Sequence, residues 1–438
     1  MSSPPLSGVS ASDVSLPPVA ERFCRYARVH TTSDAASAAT PSTERQLDLC
    51  RMLVDELRAM GVADAEMDAA GVVYATVPGT AENAPVVALC AHVDTSPDAP
   101  GEHVQPLVHV AYDGHSFALP GNASVVFDVA TDPDLAAHVG HDLITSDGTT
   151  LLGSDDKAGV AIIVQLAHDL LRSDDEARTA GQAPPPRPTL RLLFTPDEEI
   201  GRGADPVDLQ RLGADVAYTL DGSGTDRLNA ETFNAAEALV TVEGVGVHPG
   251  YAKGVMVNAL RVAAHVVSLL PADEAPETTD GPDGYLHPHT LAGEADYATL
   301  RILLRDFTEA GLERRRTLVR DAAARAQAAF PGSAVRVEIA ESYRNMRAHI
   351  DAVDPRAVTV ALDAARRMGF EMVLEPVRGG TDGARLSERG LPTPNVFTGG
   401  YRFHSRAEWN TVQNLQRSLA YTHALVHAWA SEPRRPAL

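Results

Sequence analysis

Three short runs constrain the architecture most. Pro85–Val93 reads PVVALCAHV, Thr189–Thr195 reads TLRLLFT and Asp215–Leu220 reads DVAYTL. Each is nearly all apolar and short, the pattern of a strand covered on both faces rather than one with a wet side. Between the first two lies Ala158–Leu171 (AGVAIIVQLAHDLL), an apolar helix. Buried strands alternating with helices make an α/β domain with a largely parallel sheet. Earlier, Glu44–Met60 has helical apolar spacing and is closed by Gly61, and Gly71–Val77 reads as a strand. Ser173–Pro188 (SDDEARTAGQAPPPRP) is charged, then proline-rich, and reads as a solvated loop.

From about Ser223 the pattern changes. Ala238–Glu243 alternates as a strand, Val257–Leu270 is helical, and strands near Tyr285–Leu291 and Tyr297–Asp306 flank the turn at Gly293–Asp296. A helix at Gly311–Phe330 and a strand at Ala334–Ile339 come next. The order β-α-β-β-α-β is the ferredoxin-like split unit. The α/β style resumes from about Asp354. The expectation is therefore an arm without order over 1–19, a main domain of 20–222 and 346–438, and an inserted domain of 223–345. The crossings should lie near Gly222 and Met346.

Charge narrows the partners. The 438 residues carry 37 Lys+Arg against 59 Asp+Glu, a formal net charge of −22. Nucleic acids and anionic membranes are recognised by Lys and Arg neutralising phosphates, so neither is an expected partner. No stretch approaches the roughly 18 apolar residues of a membrane span. Cys24, Cys50 and Cys90 are scattered and form no C-x-x-C pair, which suits a reducing compartment and offers no thiolate zinc site. The opening MSSPPLSGVSASDVSLPP lacks the basic and apolar regions of a secretory signal, so the cytoplasm is the expected location.

Histidines and carboxylates collect just past the strand ends, where open α/β sheets bind ligands. His92-Val93-Asp94 ends the first buried run, and its spacing lets a carboxylate fix a metal-binding imidazole; alone, the same triplet is an ordinary polar strand end. Asp155-Asp156-Lys157, between Gly153 and Gly159, suits a metal turn or simply acids at a helix N-terminus. Glu198-Glu199 comes after the second run. Two adjacent buried glutamates repel unless a cation lies between them, and such a pair offers one ligand and one general base; a solvated loop is the alternative. Asp221 ends the third run, and His404 lies in TGGYRFHSRAEW. Jointly these are imidazole and carboxylate donors without thiolate, which suits a hydrolytic two-metal site better than a structural one.

AHVDTSP, LLGSDDKAG, TPDEEIGRGA, VHPGYAKGVMVNA, PADEAPETT, RGGTDGARLSERGLPTPNVFTGG and the C-terminal His404 resemble the motifs of a dinuclear metallopeptidase family, in particular its tripeptide-aminopeptidase branch. The family also holds carboxypeptidase G and succinyl-diaminopimelate desuccinylase. The resemblance runs from about Ala20 to Trp429. It implies a zinc-exopeptidase-like mixed sheet flanked by helices, with the ferredoxin-like insert as a lid that also offers a homodimer edge. It implies two zinc ions, with cobalt or manganese suited to the same donors. His92 and Asp221 would hold one, Glu199 and His404 the other, and Asp155, joined to Asp156 by a cis bond, would bridge them. Asp94 would orient His92, and Glu198 would be general base toward a water between the metals. In the lid, His248 would stabilise the oxyanion and Arg378 would grip the peptide's C-terminal carboxylate; Asn345 is a weaker substrate-binding candidate, with Arg305. The implied reaction is release of the N-terminal residue from tripeptides. A dipeptidase or N-acyl-amino-acid deacylase on the same scaffold is the nearest alternative. A non-catalytic peptide-binding relic is opposed by the presence of Glu198 and all five ligands. The long Ser173–Pro188 stretch and the wording around His404 depart from the family pattern.

Overall fold

A computed structural model describes residues 8–435. The chain divides into two compact units. The first takes the chain up to Ala230, His349–Glu375 and the segment from Thr381 onward; the second takes Glu231–Ala348 and Pro376–Gly380.

An eight-stranded sheet organises the first unit. Its centre runs, side by side, Asn395–Phe397, Val216–Gly222, Val87–His92 and Leu190–Thr195, all mutually parallel. Val73–Val77 joins Leu190–Thr195 antiparallel and carries Glu66–Met67 beyond it. On the other side, Arg227–Asn229 pairs antiparallel with Asn395–Phe397 and parallel with Val373–Leu374. The sheet is thus mixed, with a parallel heart. Both of its faces are covered, which is why the central strands are apolar throughout. Ala88 and Cys90 pack with Leu193, Ala217, Leu386 and Leu391 on one face. On the opposite face the helix Ser154–Thr179 lies against Val87–His92, beside the helices Pro18–Ala27 and Val412–Trp429. Burying one such leucine contributes about 2 kcal/mol. Gly159 permits the close approach of helix to sheet, since a Cβ there would drive into the Leu220 carbonyl and the Asp156 carboxylate.

Parallel pairing has a further consequence. The four central strands all end on the same edge of the sheet, so the residues after His92, Thr195, Leu220 and Phe397 meet there.

Three expectations need correction. The arm expected over 1–19 lies outside the described residues as far as residue 7, but from Gly8 the chain is built in. Val9–Ser10 pairs antiparallel with Leu107–Val108, and a helix begins at Pro18. The supposed loop from Ser173 is helical as far as Thr179, because Arg172–Glu176 and Asp175–Arg178 pair one turn apart; only the Pro-rich remainder is irregular. The crossings fall after Ala230 and Ala348, and the short Pro376–Gly380 segment belongs with the second unit.

The second unit runs Asn234–Glu243, helix Ala259–Ser268, Tyr285–Gly293, Tyr297–Asp306, helix Glu309–Ala329, Ala334–Tyr343. Its antiparallel sheet has the order second, third, first, fourth strand, which is the ferredoxin-like arrangement. Inward residues at every second position, Ala236, Ala238, Val240 and Val242, meet the two helices through Val262, Val266, Val319 and Ala326.

Candidate active site

The first unit brings seven sequence-singled residues together at the carboxyl edge of its sheet. His92 closes its strand, buried, and its Nδ1 lies 3.0 Å from the Asp94 carbonyl and 3.3 Å from the Asp94 carboxylate. Its Nε2 faces Asp155 Oδ1 at 2.9 Å and Asp221 Oδ1 at 3.6 Å. The other oxygen of Asp155 lies 3.2 Å from His404 Nε2, which also meets Glu199 Oε2 at 2.9 Å. Asp155 therefore offers one oxygen to each imidazole, with Asp221 beside the first and Glu199 beside the second. The Asp155–Asp156 bond is cis.

Asp94, fully buried, does more than face His92. Its two oxygens accept the backbone N–H groups of Glu198 (3.1 Å) and Glu199 (3.2 Å). One carboxylate thus fixes both the imidazole and the glutamate pair. Asp197, just before that pair, holds a left-handed backbone, φ 65°. Gln46 clamps it at two points, donating to the Asp197 carboxylate at 2.7 Å and accepting its N–H at 3.0 Å. Glu198 Oε1 accepts the Asp382 N–H at 3.2 Å, and Oε2 lies 4.0 Å from His92 Nε2.

Sequence reasoning passed over three supports. Glu408, 1% exposed, accepts the N–H groups of Leu152 (2.8 Å), Gly153 (2.7 Å) and Asp155 (2.9 Å), so it holds the turn that carries Asp155. Asp382, buried, accepts from Thr195 Oγ1 at 2.8 Å. Asp156 accepts from the N–H groups of His92 (3.2 Å) and Gly159 (3.1 Å), tying helix to strand. The adjacent acids of LLGSDDKAG and the aspartate of RGGTDG are visible signals; Glu408 shares the TGGYRFHSRAEW run with His404, but no spacing marks its role.

Electrostatically the cluster is rich in buried carboxylates. Burial, with Asp155 close by, pushes Glu199 up to about 8 and Asp221 up to about 7, and burial lifts Glu198 well above the usual carboxylate range. Conversely, Asp155 and Glu199 push His404 up to about 11. For His92 burial works the other way, but Asp155, Asp221 and Asp94 outweigh it and raise the imidazole well above its ordinary range. Two sets of ligand atoms, His92/Asp156/Asp221 and His92/Asp155/Glu199, each lie within 4.8 Å of one another, the spacing of a cation's coordination sphere. Glu199 Oε1 is buried without a hydrogen-bond partner. An orphaned carboxylate oxygen among imidazoles and acids fits a divalent cation.

All four lid candidates lie in the second unit; Arg305 donates to the carbonyls of Ala236 (3.2 Å) and Leu304 (3.0 Å). His248 is exposed, its Nδ1 accepting the Gly250 N–H at 3.1 Å. Arg378 donates to the Gly281 carbonyl (3.0 Å) and to Thr279 Oγ1 (2.9 Å), over the rings of Phe233 and Tyr285. Asn345 spends its amide on Glu231 Oε1, the Phe307 carbonyl and the N–H groups of Thr232 and Arg347. Through these bonds Asn345 ties together the segments that lead into and out of the unit, in keeping with the structural role weighed beside substrate binding.

Comparison with known proteins places the chain in a family. The pattern of peptidase family M20/M25/M40 matches residues 147–428. Peptidase T of Geobacillus thermodenitrificans is 41% identical over 91% of this chain and 95% of its own length. Two solved structures share the fold at a TM-score of 0.71: the aminopeptidase PepT of Bacillus cereus (22% identity; 94% of this chain, 98% of that one) and a tripeptidase of Staphylococcus aureus (19%; 95% and 98%). With the family pattern spanning more than half its length and a relative of such identity across nearly all of it, the chain belongs to peptidase family M20/M25/M40.

Proposed function

We propose that this protein is a metal-dependent aminopeptidase releasing the N-terminal residue of tripeptides. The observation that carries the reading is Asp155, with one oxygen turned to each of two imidazoles that have their own carboxylate neighbours. His92 and Asp221 would hold one divalent cation, Glu199 and His404 a second, with Asp155 between. Zinc is our choice, and cobalt or manganese suits the same donors. Bound there, the cations supply Lewis acidity toward the scissile carbonyl and the attacking water. Glu198 takes the proton of that water as its oxygen joins the carbonyl carbon, and returns it to the departing nitrogen as the C–N bond breaks. The Asp382 N–H on Oε1 leaves Oε2 to carry that proton. Asp94 keeps His92 and Glu198 in register. His248 and Arg378 are proposed for the oxyanion and the peptide's terminal carboxylate, Arg378 exchanging its present carbonyl and hydroxyl partners for the substrate.

The names borne by the relatives, aminopeptidase and tripeptidase, support the substrate class. A cytoplasmic location accords with three buried, unpaired cysteines, and no helix among the described residues is long and apolar enough to cross a membrane. A homodimer would use the second unit, whose sheet ends on the edge strand Tyr285–Gly293; light scattering tests it. The function itself is tested by comparing a tripeptide, a dipeptide and an N-acyl amino acid with metal-loaded enzyme. The tripeptide should be turned over fastest, and equal rates on all three would refute the proposal.

A further inference from the structure

We propose that Asp98 receives the α-ammonium group of the peptide, in a cavity beside His404, and thereby restricts the enzyme to substrates with a free amino terminus. The inference rests on the aminopeptidase reading of the site. Within the first unit a cavity of about 470 Å³ opens against His404; Asp98, Asn122, Val125, Val126 and Arg406 share its walls. His404 presents Nε2 to Asp155 and Glu199 and Nδ1 to Asp98, whose Oδ2 is 3.3 Å away. Asp98 therefore lies just across one imidazole from the reacting centre.

An ammonium partner must lie close to that centre. The α-nitrogen of the first residue is only about 2.5 Å from the carbonyl carbon that is attacked, two bonds away at a tetrahedral Cα. Its carboxylate partner has to adjoin the metal ligands without being one of them. The nearby acids are otherwise engaged. Asp94 accepts from Glu198 and Glu199, Asp155 serves both imidazoles, and Glu408 accepts three backbone N–H groups. Asp98 is 69% exposed, and among the described residues its Oδ1 accepts no hydrogen bond. Arg406, the guanidinium in the lining, donates its Nε to the Thr149 carbonyl at 3.2 Å. Val126, exposed, adds an apolar residue to the lining.

The competing role is orientation of His404 from behind, as carboxylates do for ligating histidines. Asp98→Asn separates the two, because the amide oxygen still accepts from Nδ1–H while the charge is gone. The probes are trialanine and propionyl-alanyl-alanine, which lacks only the amino group. Wild-type enzyme should strongly prefer trialanine. In the variant, KM for trialanine should rise about 50-fold, the loss of one charge-assisted hydrogen bond, with kcat nearly kept. Turnover of the propionyl peptide and metal content should not change. An unchanged trialanine KM overturns the proposal, as does a parallel fall on both substrates with loss of metal. Wild-type enzyme inactive on trialanine would refute the aminopeptidase reading itself, and this inference with it.

Discussion

Glu408 offers the most quantitative test of how the site is held. Its carboxylate accepts three backbone N–H groups from Leu152, Gly153 and Asp155, and it is 1% exposed. Burial pushes it up to about 7, against the pull of those donors, so the measurement belongs at a pH of about 8, where it is ionised. Hydrogen bonds to a charged group are worth about 1.5–3 kcal/mol each, and a buried donor left unpaired costs about 1–3 kcal/mol. Three bonds lost together are not additive, so the loss lies well below three times the upper figure. Glu408→Ala should therefore lower unfolding free energy by about 4 kcal/mol. Glu408→Gln, which keeps one acceptor oxygen but turns an NH₂ toward an N–H, should cost about 2 kcal/mol. Because the Asp155 N–H is one of the three, both variants should also bind metal about 10- to 100-fold more weakly. Urea denaturation of the metal-free protein and competition with a chelating dye give the two numbers. A loss below about 1 kcal/mol in the alanine variant, with metal affinity intact, would show that the Asp155 turn stands without Glu408.

Glu198→Ala should retain metal yet lose turnover by about 10²- to 10⁴-fold, read as kcat with metal content measured in parallel; unimpaired turnover would remove Glu198 from the reaction. Gly159→Ala puts a methyl into the Leu220 carbonyl and the Asp156 carboxylate. It should cost about 1–3 kcal/mol by urea denaturation, and an unchanged midpoint would mean that helix and sheet are not in close contact there. His109, 2% exposed, is lowered by burial from 6.5 to about 4. The unfolded chain then binds the extra proton as pH falls from about 6.5 to 4, so stability declines across that window by on the order of 3 kcal/mol from this group. Acid unfolding of His109→Asn should lack that component; parallel curves for both proteins would contradict the buried, neutral imidazole.

Four of the residues proposed for the reaction are legible because each stands at the end of an apolar run. His92, Glu198, Glu199 and Asp221 sit where buried strands end, and only charge that is held for a purpose is common there. Their supports are not legible. Glu408, and Asp94 in its grip on the glutamate pair, act on backbone N–H groups, which every residue but proline carries, so no spacing or composition announces the acceptor. Asn345, weighed from the sequence as more structural than substrate-binding, spends its amide on backbone and Glu231. The charged stretch after Ser173 reads as a loop because its helical turns carry one apolar residue, Ala177, and so no apolar stripe to reveal a period.

By itself the sequence determined that buried strands alternate with helices, that a ferredoxin-like unit interrupts them, and which acids and histidines stand at strand ends. These are local properties, written in periodicity and in the residues that close each run. Only the tertiary structure decided that the strands run parallel and so deliver those ends to one edge, that Asp155 faces two imidazoles at once, and that Asp98 opens into a cavity beside them. Such pairings join residues as far apart as Asp155 and His404, and no local pattern encodes a distance across the fold.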